Sequence, residues 1–237
     1  MSSQDQKVAV ITGASQGIGA GLIEAYRKLG YAVVATSRTI APSNDADILT
    51  VQGDIADPAT AERVIAAGVE RFGRIDTLVN NAGVFTAKPF TDYTQDDYAH
   101  VSGVNLTGFF RITQLAIEHM LPRGGGHIVN ITTSLVDNAD SSVPSVLASL
   151  TKGGLQSATK SLAIEYATRG IRANAVSPGT IKTSMHPEAT YEALAALHPV
   201  GRMGEPGDIV DAVIYLENAP FVTGEILHVD GGISAGH

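Results

Sequence analysis

Val8-Ala9-Val10-Ile11-Thr12-Gly13-Ala14-Ser15-Gln16-Gly17-Ile18-Gly19 joins a short apolar run to glycines spaced G-x-x-x-G-x-G, and a helical pattern follows from Ala20 to Leu29. Glycines at such a strand-to-helix turn let the backbone bend sharply and approach a ligand closely. The free N–H groups that open the helix then point at an anion. The arrangement suits the pyrophosphate of a dinucleotide. A glycine-rich turn that serves only tight packing looks the same locally, so the rest of the chain has to separate the two.

Working outward, β-rich apolar runs recur at Ala32–Thr36, Asp47–Gln52, Thr77–Asn80, His127–Ile131, Arg172–Val176 and Glu225–Val229. Helical patterns lie between them at Gly17–Leu29, Ala59–Phe72, Gln95–Leu121, Val143–Thr168 and Pro206–Glu217. Strands that are apolar throughout are buried on both faces, which places them in a parallel sheet covered by helices. The fold class is α/β: one doubly wound Rossmann-type domain of about seven parallel strands, with its ligand crevice at their carboxyl ends. No linker, repeat or low-complexity block divides residues 1–237. The least regular stretch, residues 181–205, carries Pro187, Pro199, Gly201 and Gly204. It reads either as a lid over the crevice or as a long surface connection.

Composition narrows the function. With 16 Lys+Arg against 24 Asp+Glu the net charge is −8 and no basic run occurs, so nucleic acid is not an expected partner. The absence of cysteine removes disulfides, thiol nucleophiles and cysteine metal sites, and it fits a cytoplasmic location. No metal site is expected. Met1–Lys7 is polar, without the apolar core of a signal peptide. No window approaches the roughly 18 apolar residues of a membrane span.

Three further stretches converge on the crevice of such a sheet. Asn80-Asn81-Ala82-Gly83 ends the fourth strand, where side-chain amides would hold a neighbouring strand or a cofactor. Asn105 sits within the long helix Gln95–Leu121, although asparagine is a mediocre helix former. Lys152 stands in an apolar helix face, where an ammonium needs a partner. With these motifs in register the chain resembles the short-chain dehydrogenase/reductase family, and within it bacterial 3-oxoacyl-carrier-protein reductase-like members. The resemblance rests on Thr12–Gly19, Asn80–Gly83, Asn105, Lys152, Ser177-Pro178-Gly179 and Asp230-Gly231-Gly232, and covers nearly the whole length.

The resemblance implies a role for each residue. Gly13, Ser15, Gln16, Gly17 and Gly19 would cradle the pyrophosphate, with Ile18 lining the crevice beside them. Asp54, followed by Ile55, would bond the adenine or merely cap its own turn. Asn80 would lie along the ribose near Ala82 and Gly83, and Lys152 would bond the nicotinamide ribose. Pro178, Gly179 and Ile181 would cup the nicotinamide, with Thr183 reaching its amide or a phosphate. Asn105 would hold a water in a proton relay behind Lys152, or only satisfy a helix kink.

Cofactor choice rests on the end of the second strand, about 20 residues past the glycines, where an acid would bond the 2′-hydroxyl of NAD. Ser37 and Arg38 stand there instead, and a guanidinium holds a phosphate through two charge-assisted bonds. NADP(H) is favoured and NAD(H) remains possible, since Gln16 offers no further cation.

The chain departs from the family at its catalytic centre. The tyrosine expected four residues before the lysine is Ala148, and no tyrosine lies between Tyr98 and Tyr166. The catalytic hydroxyl falls to Thr133 or to Ser134. Positioned acid catalysis supplies about 10²–10⁴-fold, so the loss bears on turnover more than on nucleotide binding. Lys152 acting through water, or His186, Tyr191 or His198 from the lid, would replace the acid, or the substrate is activated enough to need little acid help. The expected activity is NADP(H)-dependent reduction of a ketone or oxoacyl group in a small carbonyl or alcohol substrate. The alternative is a nucleotide-binding protein with little or no redox turnover, acting as a sensor or assembly partner. Gly153 and Gly154 cost roughly 1 kcal/mol each in a helix. Close approach of another helix would offset that. The resemblance implies that this helix and Gln95–Leu121 pack against their mates across a twofold axis, with Glu225–Gly232 making a second interface, so a homotetramer is expected, with a dimer as the fallback.

Overall fold

The computed structural model describes residues 6–236. Most of the Met1–Lys7 stretch read above therefore lies outside the described residues. Seven parallel strands form one sheet: β1 Val8–Thr12, β2 Ala32–Ser37, β3 Ile48–Gln52, β4 Thr77–Asn80, β5 Gly126–Ile131, β6 Ile171–Pro178 and β7 Ile226–Val229. Their order is β3-β2-β1-β4-β5-β6-β7. β1 pairs with β2 on one side (Val8 beside Ala32) and with β4 on the other (Ala9 beside Thr77). The winding reverses there, which opens a crevice beyond the carboxyl ends of these strands.

Alternation along each strand builds two cores. Val8, Val10, Val34, Leu78 and Ile128 face α2 (Pro58–Phe72), α4 (Phe109–Met120) and α5 (Val146–Tyr166). Ala9, Ile11, Val33, Ala35, Val79 and Val129 face α1 (Gly17–Lys28) and α7 (Pro206–Asn218). Both faces are covered, and this is the single Rossmann-type domain that the uniformly apolar strands imply.

Two expected helices change. Gln95–Leu121 is not one α-helix: α3 covers Gln95–Ser102, a π-helical stretch covers Gly103–Gly108, and α4 follows. The wider turn lies where the side chain of Asn105 leaves its helix to bond elsewhere. Gly108 fits against β3's exit because a Cβ there would lie 2.9 Å from the Ile55 carbonyl oxygen. The helix expected from Val143 starts at Val146, because Pro144 holds the residue before it out of helical geometry. The 181–205 stretch is partly ordered by a parallel bridge between Ile181 and Gly204. Between them lie a 3₁₀ turn at Glu188–Thr190 and α6, Tyr191–Ala196.

Candidate active site

The glycine turn is built to leave donors open. Gly13 and Gly17 hold φ of +65° and +55°, a region L side chains rarely enter. A Cβ on Gly19 would lie 2.3 Å from the Gly13 carbonyl oxygen, so that position must stay bare. No side chain caps the first turn of α1, Gln16 included, and that turn carries no acid. Uncapped N–H groups at the positive end of a helix fit a phosphate anion.

The turn is held from behind by Thr12 and Asn81. Thr12 Oγ1 accepts from the N–H groups of Asn81 and Ala82 at 3.1 and 3.0 Å. Asn81 Nδ2 donates to the carbonyls of Thr12 and Gly13 at 2.9 and 3.1 Å. Asn81 thus holds the neighbouring strand, one of the two uses expected of the side-chain amides at this strand end. Asn80 corrects an expectation. Its side chain is turned into the fold, donating to Thr113 Oγ1 and Asn130 Oδ1 at 2.9 Å each. Asn130 continues to Thr159 on α5 at 2.8 Å, so Asn80 ties the sheet to α4 and α5 rather than offering its amide to a ribose.

Lys152 is 8% exposed, and its Nζ donates to the Ile131 carbonyl at 2.8 Å. Burial alone lowers its pKa to about 8. Gly83 makes room for it, since a Cβ there would lie 2.9 Å from Nζ. Asn105 Oδ1 accepts from Val84 N–H at 3.0 Å, and its Nδ2 donates to the Val84 carbonyl and to Thr151 Oγ1, both at 3.1 Å. The amide therefore fastens the loop after Gly83 to α5. Thr151, the residue that receives it, carries no sequence signal beyond a hydroxyl in an apolar helix. Ala148 is buried one turn before Lys152.

The two candidate hydroxyls differ. Thr133 Oγ1 accepts the N–H of Leu135 at 3.4 Å and opens a short 3₁₀ turn, Ser134–Val136. Ser134 is buried. Asp137 closes that turn and accepts from Gln156 Nε2 on α5 and from His228 Nε2 on β7, both at 3.1 Å.

At the end of β2, Ser37 Oγ accepts the N–H of Thr39 at 3.3 Å, and Arg38 is exposed. Asp54 Oδ1 accepts the N–H of Ala56 at 3.0 Å, so one carboxylate oxygen does cap its own turn. Ile55 is buried beneath it. Across the crevice, Thr183 arches over the glycines: a Cβ on Gly17 would lie 3.1 Å from its Cγ2. Pro178 ends β6, Gly179 follows, and Ile181 is buried at the bridge to Gly204.

His198 is a second correction. Its Nε2 accepts the Thr180 N–H at 2.9 Å, and its Nδ1 donates to the Leu194 carbonyl at 2.8 Å. Both ring nitrogens are occupied in a neutral ring that fastens the base of the lid, so His198 is no spare acid. His186 is half-buried, which lowers its pKa. Among the described residues no group of three or more His, Asp or Glu could hold a metal.

A reductase family model, described as enoyl-(acyl carrier protein) reductase, matches residues 13–234. The 3-oxoacyl-[acyl-carrier-protein] reductase FabG of Vibrio cholerae is 33% identical over 238 residues, spanning 96% of this chain and 97% of its own. Among solved structures, ElxO with NADP bound superposes with a TM-score of 0.90 at 30% identity, covering 98% of this chain and 100% of that one. The 3-ketoacyl-(acyl-carrier-protein) reductase of Brucella melitensis complexed with NADH gives 0.89 at 30% identity, with 98% and 100% covered. The chain belongs to the short-chain dehydrogenase/reductase family of oxidoreductases.

Proposed function

We propose that the protein is an NADP(H)-dependent reductase of a ketone or oxoacyl group, working without a tyrosine acid. The observation that carries it is Lys152, a buried cation whose Nζ, among the described residues, donates to the Ile131 carbonyl alone and lies beside Gly83. A pKa of about 8 leaves that ammonium protonated at neutral pH yet able to yield a proton. A bound nicotinamide would supply the hydride. Lys152 Nζ delivers the proton through water to the substrate oxygen, and Ser134 or Thr133 hydrogen-bonds that oxygen. Uncapped N–H groups of α1 receive the pyrophosphate, and Arg38 receives the 2′-phosphate. Nucleotide-bound relatives support both cofactor forms, one with NADP and one with NADH. The 181–205 stretch closes over the nicotinamide as a lid.

Ala148 favours a second reading, a nucleotide-binding protein with little turnover. NADPH and NADH oxidation across ketones, quinones and oxoacyl thioesters, beside a direct nucleotide titration, separates the two. Tight binding without turnover on any substrate overturns the reductase.

Assembly is read from α4 and α5. A Cβ on Gly153 or Gly154 would meet Val136 or Leu106 at 3.5 and 3.7 Å, ordinary contacts, so the chain's own packing does not require these glycines. Phe110, Leu150 and Ile164 on the same two helices are exposed. A homotetramer burying these faces, in the cytoplasm, fits both facts; a monomer by light scattering at micromolar concentration would contradict it.

A further inference from the structure

Arg27, Arg74, Arg111 and Arg202 each hold a carboxylate. At one corner of the sheet two arginines do not. Arg38 follows β2 and is exposed. Arg63 lies on α2, where its Nη2 donates to the neutral hydroxyl of Thr60 at 3.0 Å. That guanidinium reaches the exit of β3: a Cβ added to Gly53 would lie 3.0 Å from Nη2. Gly53 in turn donates its N–H to the Ser37 carbonyl at 3.1 Å. The Arg63 guanidinium thus lies beside Gly53, whose partner Ser37 leads directly into Arg38.

The nearby acids each spend one carboxylate oxygen on their own turns. Asp54 and Asp57 accept the N–H groups of Ala56 and Ala59, each at 3.0 Å, inside their own turns. In a chain of net charge −8, two cations left at one corner make a local anion site. A phosphate monoester carries nearly two charges and three acceptor oxygens, enough for two guanidinium forks.

We propose that Arg63 is a second cation for the 2′-phosphate of NADP(H), supplying from α2 what Gln16 does not supply from the glycine turn. The assignment rests on the NADP(H) reading above. Arg63 has only a neutral hydroxyl to release before it turns toward the phosphate.

The test is equilibrium binding of NADPH and NADH, and of the fragments 2′,5′-ADP and 5′-AMP, to wild type, Arg38→Ala, Arg63→Ala and Arg63→Lys. Arg63→Ala should weaken NADPH and 2′,5′-ADP by about fivefold and leave NADH and 5′-AMP within about twofold. Arg63→Lys should recover part of the loss, and the wild-type preference for NADPH should shrink as salt rises. Unchanged NADH affinity also reports that each variant is folded. Equal weakening of both nucleotides would assign Arg63 to the adenine or to the fold and overturn the proposal. A loss in Arg38→Ala with none in Arg63→Ala would overturn the second cation alone. A wild type that binds both nucleotides equally would remove the NADP(H) reading and this one with it.

Discussion

The two ends of the sheet treat buried charge in opposite ways. Where the strands begin, far from the crevice, Glu217 of α7 is almost enclosed and accepts from four side chains. Tyr26 and Tyr31 donate at 3.1 and 2.9 Å, Thr77 at 3.2 Å and His127 Nδ1 at 2.9 Å. Burial alone would raise its pKa, yet these donors hold it well below the ordinary carboxylate range. Arg172 completes the cluster, donating to the carbonyls of Leu216, Glu217, Ala219 and Val222 at the end of α7. At the carboxyl ends of the strands satisfaction is incomplete. Lys152 has one carbonyl, Arg38 is exposed, and Thr36 Oγ1 and Ser177 Oγ are buried without a partner among the described residues. One end is a finished piece of structure. The other leaves charges and polar groups unmatched, as a ligand site does before it is filled.

If that division holds, a single substitution at the finished end costs the most. Glu217→Ala strips the acceptor from four donors and removes the negative charge near Arg172, whose own bonds run to backbone carbonyls. It should lower unfolding stability by about 3–5 kcal/mol, read from the shift of the urea midpoint at pH 7. A loss below about 1 kcal/mol would show that the cluster is solvated rather than enclosed. Lys152→Met should do the reverse: stability stays near wild type, because removing an unpaired buried ammonium relieves desolvation, while reductase turnover falls by about 100-fold. Wild-type turnover should also decline as pH rises through about 8, where Lys152 loses its proton. A flat profile between pH 7 and 9 would assign the proton to another group.

The fold was legible in the sequence because uniformly apolar strands and the glycine turn are local signals, and the seven strands form where those signals placed them, within a few residues at their ends. The site was legible only in part. Asn80 and Asn81 look alike in the chain, and only the pleat decides that Asn80 enters the core while Asn81 reaches the glycine turn. His198 read as a free imidazole because both its partners, Thr180 N–H and the Leu194 carbonyl, are backbone groups without a sequence signature. The π-helical stretch at Gly103–Gly108 was hidden for a similar reason. Its glycines and Asn105 announce a disturbed helix, but what disturbs it is Val84 and Thr151, distant in sequence.

A smaller effect is expected from restoring the family's acid. Ala148→Tyr places a phenol one turn from Lys152, whose positive charge favours the ionised form and lowers the phenol pKa. Turnover on simple ketones should rise by about tenfold, roughly 1.4 kcal/mol of barrier, with NADPH affinity unchanged. Brisk wild-type reduction of plain ketones would mean that the role is already filled. A folded, nucleotide-binding variant with no gain on any substrate would favour the non-turnover reading.

The smallest expected effect lies in the pH dependence of stability and belongs to His127. Its Nδ1 donates to Glu217, so its Nε2 must accept, and it does so from Asn174 Nδ2 at 3.1 Å. Arg172 Nη1 lies 3.4 Å from the same Nε2, and Tyr26, Tyr31 and Glu217 are the other titratable groups of the cluster. A proton on Nε2 would set N–H against two donors, one of them a guanidinium. Burial lowers the His127 pKa further, despite the opposing pull of Glu217. The sign follows. The unfolded chain takes up this proton near pH 6.5 while the folded chain does not, so the contribution is complete above that pH and declines as pH falls below it. Stability should therefore decline between pH 7 and pH 5.5. His127→Asn keeps a donor toward Glu217 but cannot titrate, so its urea midpoint should be lower at pH 7 and lose less over the same interval. Equal pH slopes for the two proteins would show that the histidine already carries its proton in the fold, and the neutral, fully matched cluster would have to be redrawn as an ion pair.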